Sequence, residues 1–292
     1  MTAISANLVK ELREKTGAGM MECKSALTES GGDLNKAEDI LRIKGGVKAS
    51  KAAARVAAEG VIGAWLAEDS KFGALVELNC ETDFVAKNEA FLAFARQLAD
   101  LVANSNPRDV TALAALSADG ASVEAKRQAL VQKIGENISI RRFERIQASG
   151  RIALYVHGNR KTAVLVDFEG EDETGKDVAM HVAFHKPAYL SKAEVAPDVI
   201  AREREILAAR ANESGKPPEI VAKMVEGGLN KFLAEITLLG QPFVKDADQT
   251  VEKLLAASGA QVLAFVRLEV GEGIEKKRDD FVGEVMRQVR GE

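Results

Sequence analysis

The chain has 292 residues, enough to bury a sizeable core and to make two or more domains. Hydrophobic residues make up 46% and charged residues 29%, a balance that excludes the intrinsically disordered class. Forty Lys and Arg against 44 Asp and Glu give a net charge of -4, which leaves no footprint of a general nucleic-acid binder and points to a protein partner.

Residues 1 to about 45 read as three short helices separated by glycines. Ser5 can cap the first, whose stripe Leu8, Val9 and Leu12 is broken by Gly17-Ala18-Gly19. Met20, Cys23, Ala26 and Leu27 give the second stripe, up to Gly31-Gly32. Asp33 caps a third, carrying Ala37, Ile40 and Leu41, with Gly45-Gly46 as its expected stop. Lys48 to Glu59 then reads as a separate, solvated connecting helix.

After Gly60 the period changes to two. Val61 to Leu66 and Ala74 to Cys80 are strand-like around a polar turn, which predicts a hairpin. Asn88 can cap a helix with Phe91, Ala95, Leu98 and Val102 on one face. A helix near Val123 to Ile134 precedes alternation over Ile138 to Ile146, and a strand pair flanks His157-Gly158-Asn159. Pro197 suits a first helical position, and Gly215-Lys216-Pro217-Pro218 turns that helix into Ile220 to Glu226, making a helical hairpin. Lys231 to Leu239 fits either type, Val251 to Ala257 is helical, Gln261 to Val270 suits a buried strand, and 279 to 290 a short amphipathic helix. The class expected is α+β: a three-helix head, a two-part α/β core with antiparallel sheets, an inserted helical hairpin and a short C-terminal helical module.

Enzyme chemistry finds few candidates. His181 and His185 at i, i+4 on a helix could face one metal, but Val182 stands where a zincin has Glu and no third ligand follows. Cys80 beside Asp83 lacks a positioned base and reads as a small buried hydrophobe. Asp167-Phe168-Glu169-Gly170 and Asn35-Lys36-Ala37-Glu38 approach GTPase motifs in the wrong order, with no phosphate loop, so neither GTP binding nor any cofactor is expected. With Cys23 and Cys80 as its two cysteines, no apolar run of membrane-spanning length and no secretory leader, the chain is expected in the cytoplasm, away from membranes.

One segment resists a structural reading. In Glu81-Thr82-Asp83-Phe84-Val85-Ala86-Lys87-Asn88 a large aromatic sits on a polar loop beside an acid. Such a Phe ordinarily folds back into its own core; the alternative is a wedge offered to a partner. Met20-Met21 poses a similar choice, since adjacent helical residues cannot both face inward and one exposed Met is expected.

The stretch Thr82-Asp83-Phe84-Val85-Ala86-Lys87-Asn88 resembles the signature of the elongation factor Ts family, and Leu12 to Lys24 is similar to that family's N-terminal signature. Further resembling stretches follow in order: Lys133 to Ile138, Ala179 to Ala183, Ser214 to Pro217, Gly240 to Val244 and Val270 to Lys276. The resemblance implies an exchange factor, without covalent chemistry, for the GTPase elongation factor Tu in its GDP-bound and nucleotide-free states. It implies a ubiquitin-associated-like head at 1–55 docking through Met20, Met21 and Lys24. A core unit at 56–140 would carry Thr82, Asp83, Phe84 and Val85 to dislodge Mg²⁺ from the partner. A second unit, 141–186 with 229–265, would hold the partner through His157 and Val244. A hairpin at 187–228 could support a homodimer or heterotetramer, and 266–292 forms a C-terminal module; direct nucleic-acid contact is not implied. The competing reading is an interaction scaffold whose head binds an unrelated protein.

Overall fold

The computed structural model describes residues 4–275, so the helix expected at 279 to 290 lies outside the described residues. Ser5 accepts from the Leu8 amide to start α1 (Ala6–Thr16), which ends on Gly17 at φ 68°. The Glu22 carboxylate closes back on the Gly19 amide at 3.1 Å to start α2 (Met20–Glu29), and Asp33 caps α3 (Leu34–Ala52). Val9, Leu12, Cys23, Ala26, Leu27, Ala37 and Leu41 bury together as the core of this head.

Gly45-Gly46 does not stop α3, which runs on to Ala52, so the expected connecting helix does not exist. At Gly45 the helix passes close to α6 (Val123–Ile134): a Cβ there would lie 2.5 Å from the movable amide oxygen of Gln132. Beyond the glycines Ala49 and Ala52 enter the next core, so one helix belongs to both head and body.

The first sheet orders β1 (Glu59–Leu66), β2 (Phe72–Cys80) and β5 (Ser139–Gln147), all antiparallel. Asn88 caps α4 (Glu89–Ser105), and Phe91, Ala95, Leu98 and Val102 bury against this sheet as their spacing predicts. Gly63 lets α4 close in: a Cβ there would sit 2.2 Å from the Ala95 carbonyl oxygen. Between α4 and α6 lie α5 (Val110–Ala115), capped by Asp109, and the two-residue strands β3 (Ser117–Ala118) and β4 (Ala121–Ser122), none of which the sequence pattern announces.

The second sheet orders β10 (Gln261–Glu269), β7 (Thr162–Glu169) and β6 (Arg151–Val156), with α7 (Asp172–His185) packed on it. Ile62 and Leu75 from the first sheet meet Ile152, Ala163, Leu165 and Leu268 from the second in one buried cluster. The layers therefore run helix, sheet, sheet, helix. The hairpin is α8 (Pro197–Asn212) and α9 (Pro218–Ile236), followed by β8 (Pro242–Phe243), β9 (Asp246–Thr250) and α10 (Val251–Ser258).

Three expected boundaries move. The cut at 140/141 falls inside β5, which pairs with β2 and so stays with the first unit. The cut at 265/266 falls inside β10. The hairpin does not end at Gly227-Gly228, because α9 continues through them to bury Leu229 and Leu233 against Val195. A glycine costs a helix about 1 kcal/mol, which tertiary packing outweighs in both α3 and α9.

Candidate interaction site

Where β2 ends, the chain makes a short loop and one 3-10 turn, Val85–Lys87, before α4 begins. Val85 and Ala86 are buried, while Phe84 between loop and turn is 80% exposed, the most exposed large hydrophobic among the described residues. Hydrophobicity alone would have turned Phe84 inward, and its buried neighbour Val85 takes that inward place. Of the four residues expected to act on the partner, Val85 is thus an anchor. Thr82 is also committed inward: its amide and hydroxyl donate to Glu136 at 3.0 and 2.7 Å. Asp83 and Phe84 remain to face outward. The Asp83 carboxyl lies below its ordinary range, chiefly because the Lys87 ammonium hydrogen-bonds it at 2.7 Å.

On the head, Met20 is 59% and Met21 74% exposed, where one of the two was expected to pack inside. Cys23, Ala26 and Leu27 fill the inward face of α2, and both methionines sit in its first turn beyond the edge of that core. Lys24 is exposed beside them. A Lys48–Glu22 ion pair at 2.9 Å fixes the start of the helix that carries all three. The sulfurs and the ammonium form a soft apolar patch with a positive edge.

His157 is exposed in the β6–β7 turn, its Nδ1 3.2 Å from the Tyr155 hydroxyl. It borders a shallow groove with Ile62, Leu92, Arg96, Val156 and Arg160. Val244 is half-buried, and its amide donates to His181 Nδ1 at 3.1 Å. That bond makes Nδ1 an acceptor, so the neutral ring carries its proton on Nε2 and gives it to Gln241 Oε1 at 3.0 Å. Burial pushes the His181 pKa down to about 4, against the partly opposing Gln241 hydrogen bond. His185 stacks on the His181 ring at 4.5 Å, but both His181 nitrogens are engaged, which leaves no lone pair for a metal. The histidine pair is a structural pin for residues 241–244.

Burial, helped by Glu136 and Glu59, pushes the Cys80 thiol up to about 12, so it stays protonated and donates to the Thr82 carbonyl at 3.1 Å. The Asp167 carboxylate accepts the Ser149 and Gly150 amides at 2.9 and 3.1 Å and so holds the turn between β5 and β6. Among the described residues no group of three or more His, Cys, Asp or Glu could hold a metal ion, and no helix is long and apolar enough to cross a membrane. Glu136 and Glu81 were not singled out in the sequence, because nothing in local spacing reveals a partner lying over fifty residues away.

Residues 81–272 match the family model for elongation factor Ts. The chain is 60% identical to elongation factor Ts of Azoarcus sp. (strain BH72) over 289 residues, covering 99% of this chain and 97% of that one. It is 58% identical to elongation factor Ts of Nitrosomonas eutropha over 291 residues, 99% of each chain. It is also 58% identical to that of Bordetella petrii over 291 residues, covering 100% of this chain and 99% of that one.

Proposed function

The chain belongs to the elongation factor Ts family of translation elongation factors, and on that premise we propose that it binds elongation factor Tu and drives GDP out of it. The reading rests above all on Phe84, an aromatic 80% exposed between Thr82 and Val85, both of which are held by the body of the protein. Phe84 enters beside the partner's nucleotide site and disturbs its Mg²⁺, and GTP then rebinds once the nucleotide-free state has formed. Met20, Met21 and Lys24 dock the head on the nucleotide domain, and the groove at His157 holds another part of the GTPase.

Linkage sets the energy scale. A factor that weakens GDP binding must hold the nucleotide-free partner more tightly by the same ratio. A ratio of about 10⁴ needs about 5.5 kcal/mol of difference between the two states. Burying one Phe contributes roughly 1.5 to 3 kcal/mol, so contacts at the head and at the second sheet must supply the rest. The shared helix α3 suits that division, because it fixes the docking head to the unit that carries the wedge. Ile206, Ile220 and Met224, exposed on α8 and α9, give the hairpin a surface for self-association into a dimer or a heterotetramer with the partner.

Release of a fluorescent GDP analogue from purified elongation factor Tu tests the proposal: catalytic amounts of the chain should accelerate release with turnover. Tight binding without acceleration would overturn exchange and leave a scaffold.

A further inference from the structure

Once β2 leaves its ladder at Cys80, the next two amides need new acceptors. Both find the same atom: Glu81 N–H and Thr82 N–H donate to Glu136 Oε2 at 3.1 and 3.0 Å, while the Thr82 hydroxyl donates to Oε1 at 2.7 Å. Three donors from one loop thus converge on a single carboxylate just past the Gly135 stop of α6. The favour is returned by Glu81, whose Oε1 accepts the Asn137 amide at 2.5 Å. Arg55, three residues past the end of α3, closes the node. Its Nε pairs with Glu81 at 3.2 Å, its Nη2 donates to the Gly135 carbonyl at 3.0 Å, and its own carbonyl accepts from Asn137 Nδ2 at 2.7 Å.

We propose that Glu136 is the positioning residue of the Phe84 loop, and that through Glu81, Asn137 and Arg55 the same node ties the loop to the end of the head. The inference rests on the reading of Phe84 as the element that enters the partner. Glu136 does not touch the partner; it acts through Thr82. The Thr82 carbonyl accepts from the Ala86 amide and the Cys80 thiol, and its hydroxyl accepts from the Val85 amide at 3.4 Å. Fixing Thr82 therefore fixes the residues on both sides of Phe84, while the Phe84 ring itself projects into solvent with Lys87 5.9 Å from its centroid. A wedge held in its productive geometry before contact loses no rate to loop ordering. Releasing the clamp should lower the fraction of complexes in which Phe84 enters, leaving affinity to the docking residues elsewhere.

The test measures fluorescent-GDP release from elongation factor Tu at saturating factor, together with the half-saturating concentration and the thermal midpoint, for Glu136→Ala, Glu136→Gln, Phe84→Ala and the double variant Phe84→Ala/Glu136→Ala. Glu136→Ala should lower the saturating rate roughly tenfold and move half-saturation by less than about twofold. Glu136→Gln should recover most of the rate, since its amide oxygen accepts both backbone N–H groups and its NH₂ can donate to the Thr82 hydroxyl. The double variant should be no slower than Phe84→Ala alone, because Glu136 works through Phe84. Multiplying losses in the double variant would overturn the inference, as would a lowered midpoint with a normal rate per folded molecule. Should Glu136→Ala fail to fold, Glu136→Asp, which withdraws the carboxylate by one methylene, takes its place in the same cycle. If Phe84→Ala is slow and the Glu136 variants are normal, the positioning role alone falls. A normal rate for Phe84→Ala removes the wedge itself.

Discussion

Asp83 accepts a hydrogen bond from Lys87 at 2.7 Å, one helical turn further on, so that the pair brackets the exposed Phe84 ring. An acid beside a wedge could act on the partner or hold its own loop, and this contact makes loop-holding part of its role. Asp83→Asn and Lys87→Gln should therefore slow exchange by similar factors, and the wild-type advantage over both should shrink as salt screens the pair. Release rates at two ionic strengths check this. Normal exchange by Lys87→Gln beside a slow Asp83→Asn would show that Asp83 acts on the partner directly.

Two glycines offer opposite outcomes. Gly63→Ala must push α4 away from β1, because the new Cβ meets backbone at 2.2 Å, and a loss of about 1 to 3 kcal/mol is expected. Gly45→Ala meets the movable end of Gln132 instead, and Ala favours a helix by up to about 1 kcal/mol over Gly. Stability should hold or rise. Denaturation midpoints of the two variants decide both.

His181 makes stability depend on pH in one direction. Its pKa is pushed down to about 4 in the folded chain, against 6.5 when unfolded, so between those values the unfolded state binds more protons. The His181 contribution to stability is complete above about pH 6.5 and is lost as pH falls toward 4, by roughly 3 kcal/mol if fully expressed. Unfolding midpoints across that range should follow this slope, and His181→Gln should flatten it at the price of lower stability near pH 7.

Local patterns carried much of this fold. The α4 face Phe91, Ala95, Leu98 and Val102, and both hairpins of strands, lie where spacing places them, since 3.6- and 2-residue periods report directly which side is buried. The misreadings concentrate at Gly45-Gly46 and Gly227-Gly228, where glycine punctuates in isolation but the helices continue in context, with Gly228 facing Leu207 at close range. At the candidate site, the residues around Phe84 marked it as conspicuous but left core and wedge both open; the outward placement that the structure shows was pointed to by the family resemblance alone. Glu136 was not legible: a carboxylate's partners depend on which distant loop the fold delivers.

The helical hairpin can be removed if the cut respects α9. Tyr189 and Thr237 bridge in parallel, and the Tyr189 carbonyl accepts the Leu238 amide at 2.8 Å, so the two ends of the insertion already meet. Replacing residues 192 to 234 by a short Gly-Ser linker should leave cooperative unfolding and at least part of the exchange activity, because the hairpin buries Leu229 and Leu233 mainly within its own cluster. Removing 188 to 226, the span its glycines suggest, deletes Tyr189 and divides α9, and should destabilise the chain. Circular dichroism melts of the two deletions distinguish these outcomes.

Phe84 separates stability from function most cleanly. Because its side chain is 80% exposed, Phe84→Ala should change folding stability by no more than about 0.5 kcal/mol. The contact it makes with the nucleotide-free partner would be worth roughly 1.5 to 3 kcal/mol, which corresponds to a drop of roughly 10- to 150-fold in stimulated GDP release. Added Mg²⁺ should deepen the loss, since the variant competes poorly for the site the ion occupies. Met20→Ala with Met21→Ala should behave differently: both are exposed, and if they dock the head on the partner, half-saturation rises while the rate at saturation stays near normal. Denaturation midpoint, half-saturation and saturating rate, measured on the same preparations, place each residue. A Phe84→Ala protein with a full release rate at saturation would show that this ring is not the wedge, and a collapse of its midpoint would show that the side chain supports the fold after all.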